Sequence, residues 1–303
     1  MSPATPRVRP GTYVASLSAE LTAIEQAFVE MLSNSTIVNR FPRNGQDGMT
    51  MVITSMRFDW APSDNALETV RMSLLRQVRD WEPRFRLLFP HPVATVTKRL
   101  NENLTRLTTW LLRDRPYPRL PNNIPDAITK LTASTAELRA LLDLLPADEY
   151  AVRLVVDTNT LLDDPDLAAH VNAIGPTYVA HLLPTVLGEI DDLKRAGRTP
   201  EQREMAKRAE RRLKGLRTNG DVRTGVRVAG NVFARFEHIE PTGDQLPSWL
   251  DLTVNDDRIV ASALLLQADH PGSALYVATS DINMQTKLAA VGMPFIEPRN
   301  AGS

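Results

Sequence analysis

The sequence predicts a two-part α/β protein. A mostly α-helical segment over residues 1–150 precedes an open, largely parallel sheet flanked by helices over 151–298, with 299–303 as a tail. Three observations carry this reading. The chain has 303 residues, more than one hydrophobic core usually sustains, and its 43% apolar content is enough to fill two. Before Tyr150 apolar residues recur at helical spacing. After it, short apolar runs alternate with helical stretches, the pattern of strands crossing over through helices.

In the first half, helical spacing covers 17–32, 66–88, 93–112 and 124–145, and proline and asparagine over 115–125 punctuate the pattern. A helical bundle is the expected result, suited to self-association or to a protein partner. Residues 40–64, with Gly45, Gly48 and the run MVITSM, read as a loop or a strand. The stretch 144–150 reads as the hinge. Beyond it, 154–156, 177–183, 232–239 and 275–278 are strand-like, and 295–296 adds a short strand. Helices are expected over 166–173, 184–194, 200–216, 255–268 and 282–291. Ligands of such sheets bind in the crevice at the carboxyl ends of the strands.

Composition removes several chemistries. With no cysteine, disulfides, thiolate metal sites and cysteine nucleophiles are excluded, and a reducing, cytoplasmic home is expected. The N-terminus lacks the apolar core of a signal peptide, and no run approaches the roughly 18 apolar residues of a membrane span. The net charge of -1 hides a local segregation. Between Lys194 and Arg217 stand ten Lys and Arg against three acids, while the rest of 151–303 holds seventeen Asp and Glu with seven Lys and Arg. That basic segment fits an arm for a polyanion, but charge alone favours a solvated surface helix.

The chemistry-bearing residues stand where the sheet would place a ligand. The first strand runs directly into Asp157 in RLVVDTNTLL, and a later one delivers Asp281 in LYVATSDINM. Pro184 opens a helix with Glu189 on its second turn, and Asp256 and Asp257 occupy the first turn of the helix in NDDRIVASALLL. Asp157, Glu189, Asp281 and at least one of Asp256 and Asp257 are expected to line one pocket. Carboxylates gathered there repel one another, and a hard divalent ion resolves the conflict. All-oxygen ligation selects Mg2+ or Mn2+ over zinc, and no histidine pair has metal-ligand spacing. Asp157 also fits a plain helix cap, and Glu189 beside Asp191 and Asp192 fits a solvated helix face.

Taken together, Asp157-Thr-Asn159, Glu189 in a helix, N-D-D-R-I-V-A-S-A and T-S-D-I-N ending at Asn283 resemble the four acidic motifs of PIN domains, in order and spacing, over about 151–298. The resemblance implies a PIN-like, Rossmann-like parallel sheet and endonucleolytic cleavage of RNA, mostly single-stranded, with one or two Mg2+ or Mn2+ ions. It makes Asp157, Glu189, Asp256 and Asp281 the catalytic carboxylates, with Asp257 a further metal-ligand candidate; the isoleucine three residues after Asp256 favours Asp256. Asn159, Thr279 and Asn283 become positioning groups, and Arg203, Lys207, Arg208, Arg211, Arg212 and Lys214 the contacts to the RNA backbone. Competing readings are a catalytically silent PIN fold that binds RNA or protein, and a DNA structure-specific nuclease of the flap-endonuclease kind. A haloacid dehalogenase-like phosphatase is weakened because Asn159 stands where its second aspartate is needed, and no phosphate-binding G-x-x-x-x-G-K-[ST] occurs.

Overall fold

The computed structural model describes residues 11–39, 58–113, 120–243 and 246–298. The chain divides into two compact units, Ala15–Leu145 and, with the residues up to Val14, Pro146–Ser303.

The first unit is built on four helices. In α1 (Tyr13–Ser33) the buried Leu17, Leu21, Ile24, Phe28 and Met31 fall three or four residues apart, the stripe of an amphipathic helix. A two-stranded antiparallel ribbon, β1 (Ile37–Asn39) with β2 (Phe58–Trp60), precedes α2 (Asn65–Leu87). Asp64 caps α2 by accepting from the Leu67 amide at 2.8 Å. α3 (Ala94–Leu112) and α4 (Ile124–Leu142) complete the unit around Trp81, Phe85, Leu104 and Leu131. The glycine-rich segment and MVITSM fall mostly in 40–57, outside the described residues.

The second unit is a six-stranded sheet with helices. In chain order it contains β3 (Val152–Val156), α5 (Thr158–Asp163), α6 (Val171–Ile174), β4 (Thr177–Leu182), α7 (Pro184–Ala196) and α8 (Pro200–Leu216). β5 (Val226–Ala229), β6 (Asn231–Phe236), α9 (Asn255–Asp269), β7 (Ala274–Ala278), α10 (Ile282–Ala290) and β8 (Phe295–Ile296) come after them. The strand order is β5-β6-β4-β3-β7-β8, parallel throughout except where β5 pairs antiparallel with β6. The sheet is therefore mixed at one edge, which the apolar pattern had not shown. From β3 the chain builds outward through β4 to β6, then returns to the other side of β3 with β7 and β8. The connections diverge between β3 and β7, and the crevice for a ligand lies at the carboxyl ends of those two strands.

Two local expectations are corrected. The helix expected over 166–173 is a series of turns followed by the four-residue α6. The Asp166 amide donates to Asp164 and the Ala168 amide to Asp166, so aspartate side chains take amides that a helix would need. Directly after β3 the six-residue α5 forms instead, too short to show a hydrophobic period. No described helix is long and apolar enough to cross a membrane.

Candidate active site

The last residues of β3 and β7 are in register, Val156 opposite Ala278, so the two strands deliver their next residues at the same level of the sheet. Asp157 comes directly after β3, and its own amide donates to the Ala278 carbonyl at 3.2 Å. Its Oδ1 accepts from the Thr160 amide at 2.7 Å, which caps α5, while Thr160 Oγ1 donates to Ala278 O at 3.2 Å. The carboxylate is thereby fixed with only 2% exposure. Asp281 repeats the device after β7. Its Oδ1 accepts from the amides of Asn283 (2.7 Å) and Met284 (3.2 Å), capping α10. In both residues Oδ2 has no hydrogen bond among the described residues, so each cap leaves one charged oxygen available for a ligand.

α7 supplies Glu189. Pro184 at the first helical position starts the helix, and buried Val186 and Ile190 seat it. Glu189 Oε1 accepts from Asn255 Nδ2 at 2.8 Å and Oε2 accepts from the Thr158 hydroxyl, so this carboxylate joins the starts of α5 and α9. On α9, Asp256 and Asp257 lie in the first turn, where the helix macrodipole favours negative charge. Their side chains take different directions. Asp257 is buried, Oδ2 accepting from the Asp251 amide at 2.8 Å and Oδ1 lying 2.5 Å from Lys287 Nζ. Asp256 is half-buried and 3.9 Å from the same ammonium.

Asp157, Glu189, Asp256 and Asp281 line a single cavity of about 350 Å³, and Asn159 is exposed at its wall. Asp257 is not part of that lining. Thr279 is fully buried and also absent from it; its hydroxyl accepts from the Asp281 amide at 3.1 Å and so shapes the turn. Asn283 is exposed and contributes its backbone amide to Asp281. Sequence reasoning missed Asp192, Thr158 and Asn255, all of which border the cavity. The signals were present: Asp192 is three residues from Glu189 on the same helix face, and Asn255 immediately precedes Asp256. Leu193, Ala196, Ile259 and Met284 form its apolar wall.

Among the described residues five carboxylates therefore border this cavity, and no Lys or Arg lines it. Among the described residues no three acidic, histidine or cysteine side chains stand close enough together to clasp an ion as placed. Glu189 has both oxygens engaged, and Asp157 and Asp281 each have one.

A second group of charges lies under the same sheet and is arranged oppositely. His181 on β4 is fully buried, with Nδ1 2.7 Å from Glu237 Oε1 and Nε2 3.1 Å from an Arg153 guanidinium nitrogen. Arg153 also donates to Ser273 Oγ at 3.0 Å, and Arg235 Nε stands 3.2 Å from Glu237. Asp148 accepts from the Gly272 amide and pairs with His270 at 2.9 Å. Burial pushes His181 down to about 4 against the opposing pull of Glu237. The ring is thus neutral, donating to Glu237 through Nδ1 and accepting from Arg153 through Nε2.

The basic helix α8 begins at Thr199, whose hydroxyl accepts from the Gln202 amide, and buries Ala206, Ala209, Leu213 and Leu216. Lys207, Arg208, Arg211, Arg212 and Lys214 are exposed, and Arg203 is half-buried. Arg208 donates to the carbonyls of Leu162 (2.8 Å) and Asp163 (2.7 Å) at the end of α5, and Arg203 to Gly197 O at 2.5 Å. Lys207, Arg212 and Lys214 pair with Glu204, Asp166 and Glu210. Among the described residues Arg211 donates only to the Lys207 carbonyl, at 3.3 Å.

Comparison with curated proteins finds no match to the chain. The sequence model of the PIN domain matches residues 154–297, a span that contains every acid of the cavity. PIN domains are generally nucleases, and the C-terminal half of this chain belongs to the PIN domain family.

Proposed function

We propose that the C-terminal half is a Mg2+- or Mn2+-dependent endoribonuclease acting on single-stranded RNA, with Asp157, Glu189, Asp256 and Asp281 as its ion-holding carboxylates. The observation that carries this is the set of five carboxylates around one small cavity with no cation in its lining. The donors are all oxygen, which suits a hard divalent ion. When bound there, such ions lower the pKa of a water and neutralise charge on a phosphodiester undergoing attack.

The chain's own residues supply position. Asp157 and Asp281 are locked by the helices they cap, each keeping one oxygen for the ligand. Thr158 and Asn255 orient Glu189. Asp257, buried against Lys287 and the Asp251 amide, acts as a strut that sets the α9 turn and so the direction of Asp256. Asn159 offers an amide at the cavity wall, and the exposed cations of α8 other than Arg208, which is bound to the carbonyls of α5, hold the strand's backbone without reading its sequence.

The test is incubation of the purified full chain with end-labelled single-stranded RNA, duplex RNA and DNA, in Mn2+, Mg2+ or EDTA. Internal cuts in single-stranded RNA that need the ion are the expected result. Absence of cleavage in every arm overturns the enzyme, and cuts confined to DNA overturn the choice of RNA.

A further inference from the structure

We infer that the loop leading into α9 carries a nucleobase subsite, with Trp249 as the surface on which an unpaired base stacks beside the acidic cavity. This rests on the reading that a nucleic acid strand occupies that cavity, and it names how its bases are held.

In the second unit, four large apolar side chains among the described residues stand well out of the surface: Trp249 (49% exposed), Val254 (42%), Ile282 (79%) and Phe295 (37%). Two of the four adjoin the cavity's residues in the chain, and Trp249 lies on the loop that leads to them. Ile282 directly succeeds Asp281, and Val254 directly precedes Asn255 and Asp256. Trp249 sits in a turn closed by Leu250 N donating to Pro247 O, and a second turn, Val254 N to Asp251 O, leads into α9. The Asp251 amide is fixed to the Asp257 carboxylate at 2.8 Å. Since consecutive Cα atoms are about 3.8 Å apart, the Trp249 Cα lies within about 9 Å of that carboxylate. The other Asp257 oxygen shares Lys287 with Asp256, which borders the cavity.

Trp60, Trp81 and Trp110 are all buried, so Trp249 is the tryptophan that presents an indole face to solvent. A strand whose phosphate enters the acidic cavity must put its bases on the flanking surface. On that flank Val254 and Ile282 are apolar, Trp249 offers a planar face and the Lys287 ammonium is held by Asp257, which suits a base rather than a second phosphate. A duplex keeps its bases stacked on one another, so the subsite accepts single strands. Stacking recognises every base through its π-face and is tolerant of sequence.

Because the other three tryptophans are buried, the emission that acrylamide quenches belongs to Trp249. The experiment titrates the full chain, as Asp157→Asn with Mg2+ so that the strand survives, with a short single-stranded RNA and with the same strand made abasic. The base-bearing strand protects Trp249 from acrylamide saturably and the abasic strand does not. Trp249→Ala weakens binding of the base-bearing strand about tenfold, the loss of one base–aromatic stack, while Trp249→Phe keeps most of the affinity. Phe295→Ala, which removes an exposed aromatic elsewhere, binds like the parent. Equal binding of base-bearing and abasic strands, or equal affinity with and without Trp249, overturns the subsite. The two readings fail separately: ion-dependent cleavage by the parent together with indifference to Trp249 removes only the subsite. Protection of Trp249 by the strand, in a parent that cleaves nothing, supports the subsite and removes the enzyme.

Discussion

Two groups of charged side chains lie along the same strand, β3, and are arranged in opposite ways. Within the strand, Arg153 sits in a buried network in which every charge meets an opposite charge or a hydrogen-bond partner: His181 with Glu237, Arg235 with Glu237, Asp148 with His270. Just past the strand's end, Asp157 joins four other carboxylates around a cavity that no cation lines. Burying charge is costly unless it is paired, so a closed network belongs to the architecture. A set of like charges held in place by caps and packing is poised for a counter-ion supplied from outside.

The largest effect is expected at the acidic end. Asp157→Asn removes a charge yet keeps the Oδ1 acceptor that caps α5, and asparagine caps a helix as well as aspartate does. Ion-dependent cleavage should fall by a factor on the order of 10²–10³ or more, the scale of losing one electrostatic contact to the transition state. Stability without metal should hold or rise, because one of several repelling charges is gone. Circular dichroism and thermal melts of the variant beside its RNA cleavage rate check both halves, and undiminished cleavage breaks the assignment.

The paired network should answer in the reverse sense. Arg153→Met removes the guanidinium that His181 Nε2 meets and that stands 3.6 Å from Asp148, leaving buried polar groups short of one partner each, which costs about 3–5 kcal/mol of stability. Denaturant unfolding measures this directly. A variant as stable as the parent would mean that the network is not a strut of the fold.

How far the sequence reveals these two groups differs for a physical reason. An apolar strand that stops at an acid marks a sheet edge by itself, so Asp157 and Asp281 were legible, as was Glu189 on a helix begun by Pro184. Between Asp256 and Asp257 only the isoleucine three residues after Asp256 favoured the one that enters the cavity. The reason lies in Lys287, thirty residues further along, and in the Asp251 amide, neither of which local spacing reports. Arg153 and His181 escaped notice because a charged residue in a short strand looks like a solvent-facing position, and only the neighbouring strands show that it is buried. β5 was missed because an edge strand of four residues, with one buried position, has little apolar signal.

A smaller effect distinguishes the groups by pH. His181 has its folded pKa lowered to about 4 by burial, while an unfolded histidine titrates near 6.5. Between those values the unfolded chain binds more protons than the folded one, so stability is complete above about pH 6.5 and is lost as pH falls toward 4. His270 is lowered as well, first by burial and then by Arg153, and acts in the same direction. For Glu237, burial favours the neutral form, but the His181 hydrogen bond and Arg235 outweigh it and hold the carboxyl below its ordinary range, adding loss at still lower pH. The expected decline for His181 between pH 7.5 and 5 is about 2 kcal/mol. His181→Gln should be less stable at neutral pH and should show a flatter profile. A parent whose denaturation midpoint is constant from pH 7.5 to 5 breaks this account of the network.

The smallest effect sharpens the same distinction on α8, where paired and unpaired cations share one helix. Arg208 is engaged with the last carbonyls of α5, the helix that Asp157 caps, whereas among the described residues Arg211 hydrogen-bonds only to a carbonyl of its own helix and has the exposed Glu204 as its nearby acid. Surface ion pairs such as Lys207–Glu204 and Arg212–Asp166 contribute only about 0–1 kcal/mol and are readily exchanged for a phosphate. Arg211→Gln should therefore weaken RNA binding about equally for all sequences and reduce the salt slope by about one unit, the signature of one lost phosphate contact. Cleavage at saturating RNA should persist, because backbone binding is the same in ground and transition states. Arg208→Gln should leave the salt slope nearly as it was and lower kcat instead, since loosening α5 loosens the carboxylate at its start. Equal salt slopes in the parent and in Arg211→Gln would return α8 to the role of a solvated surface helix. A drop in slope for Arg208→Gln without a change in kcat would mean that its two carbonyl bonds yield to phosphate, and that pairing on this helix does not separate architecture from binding.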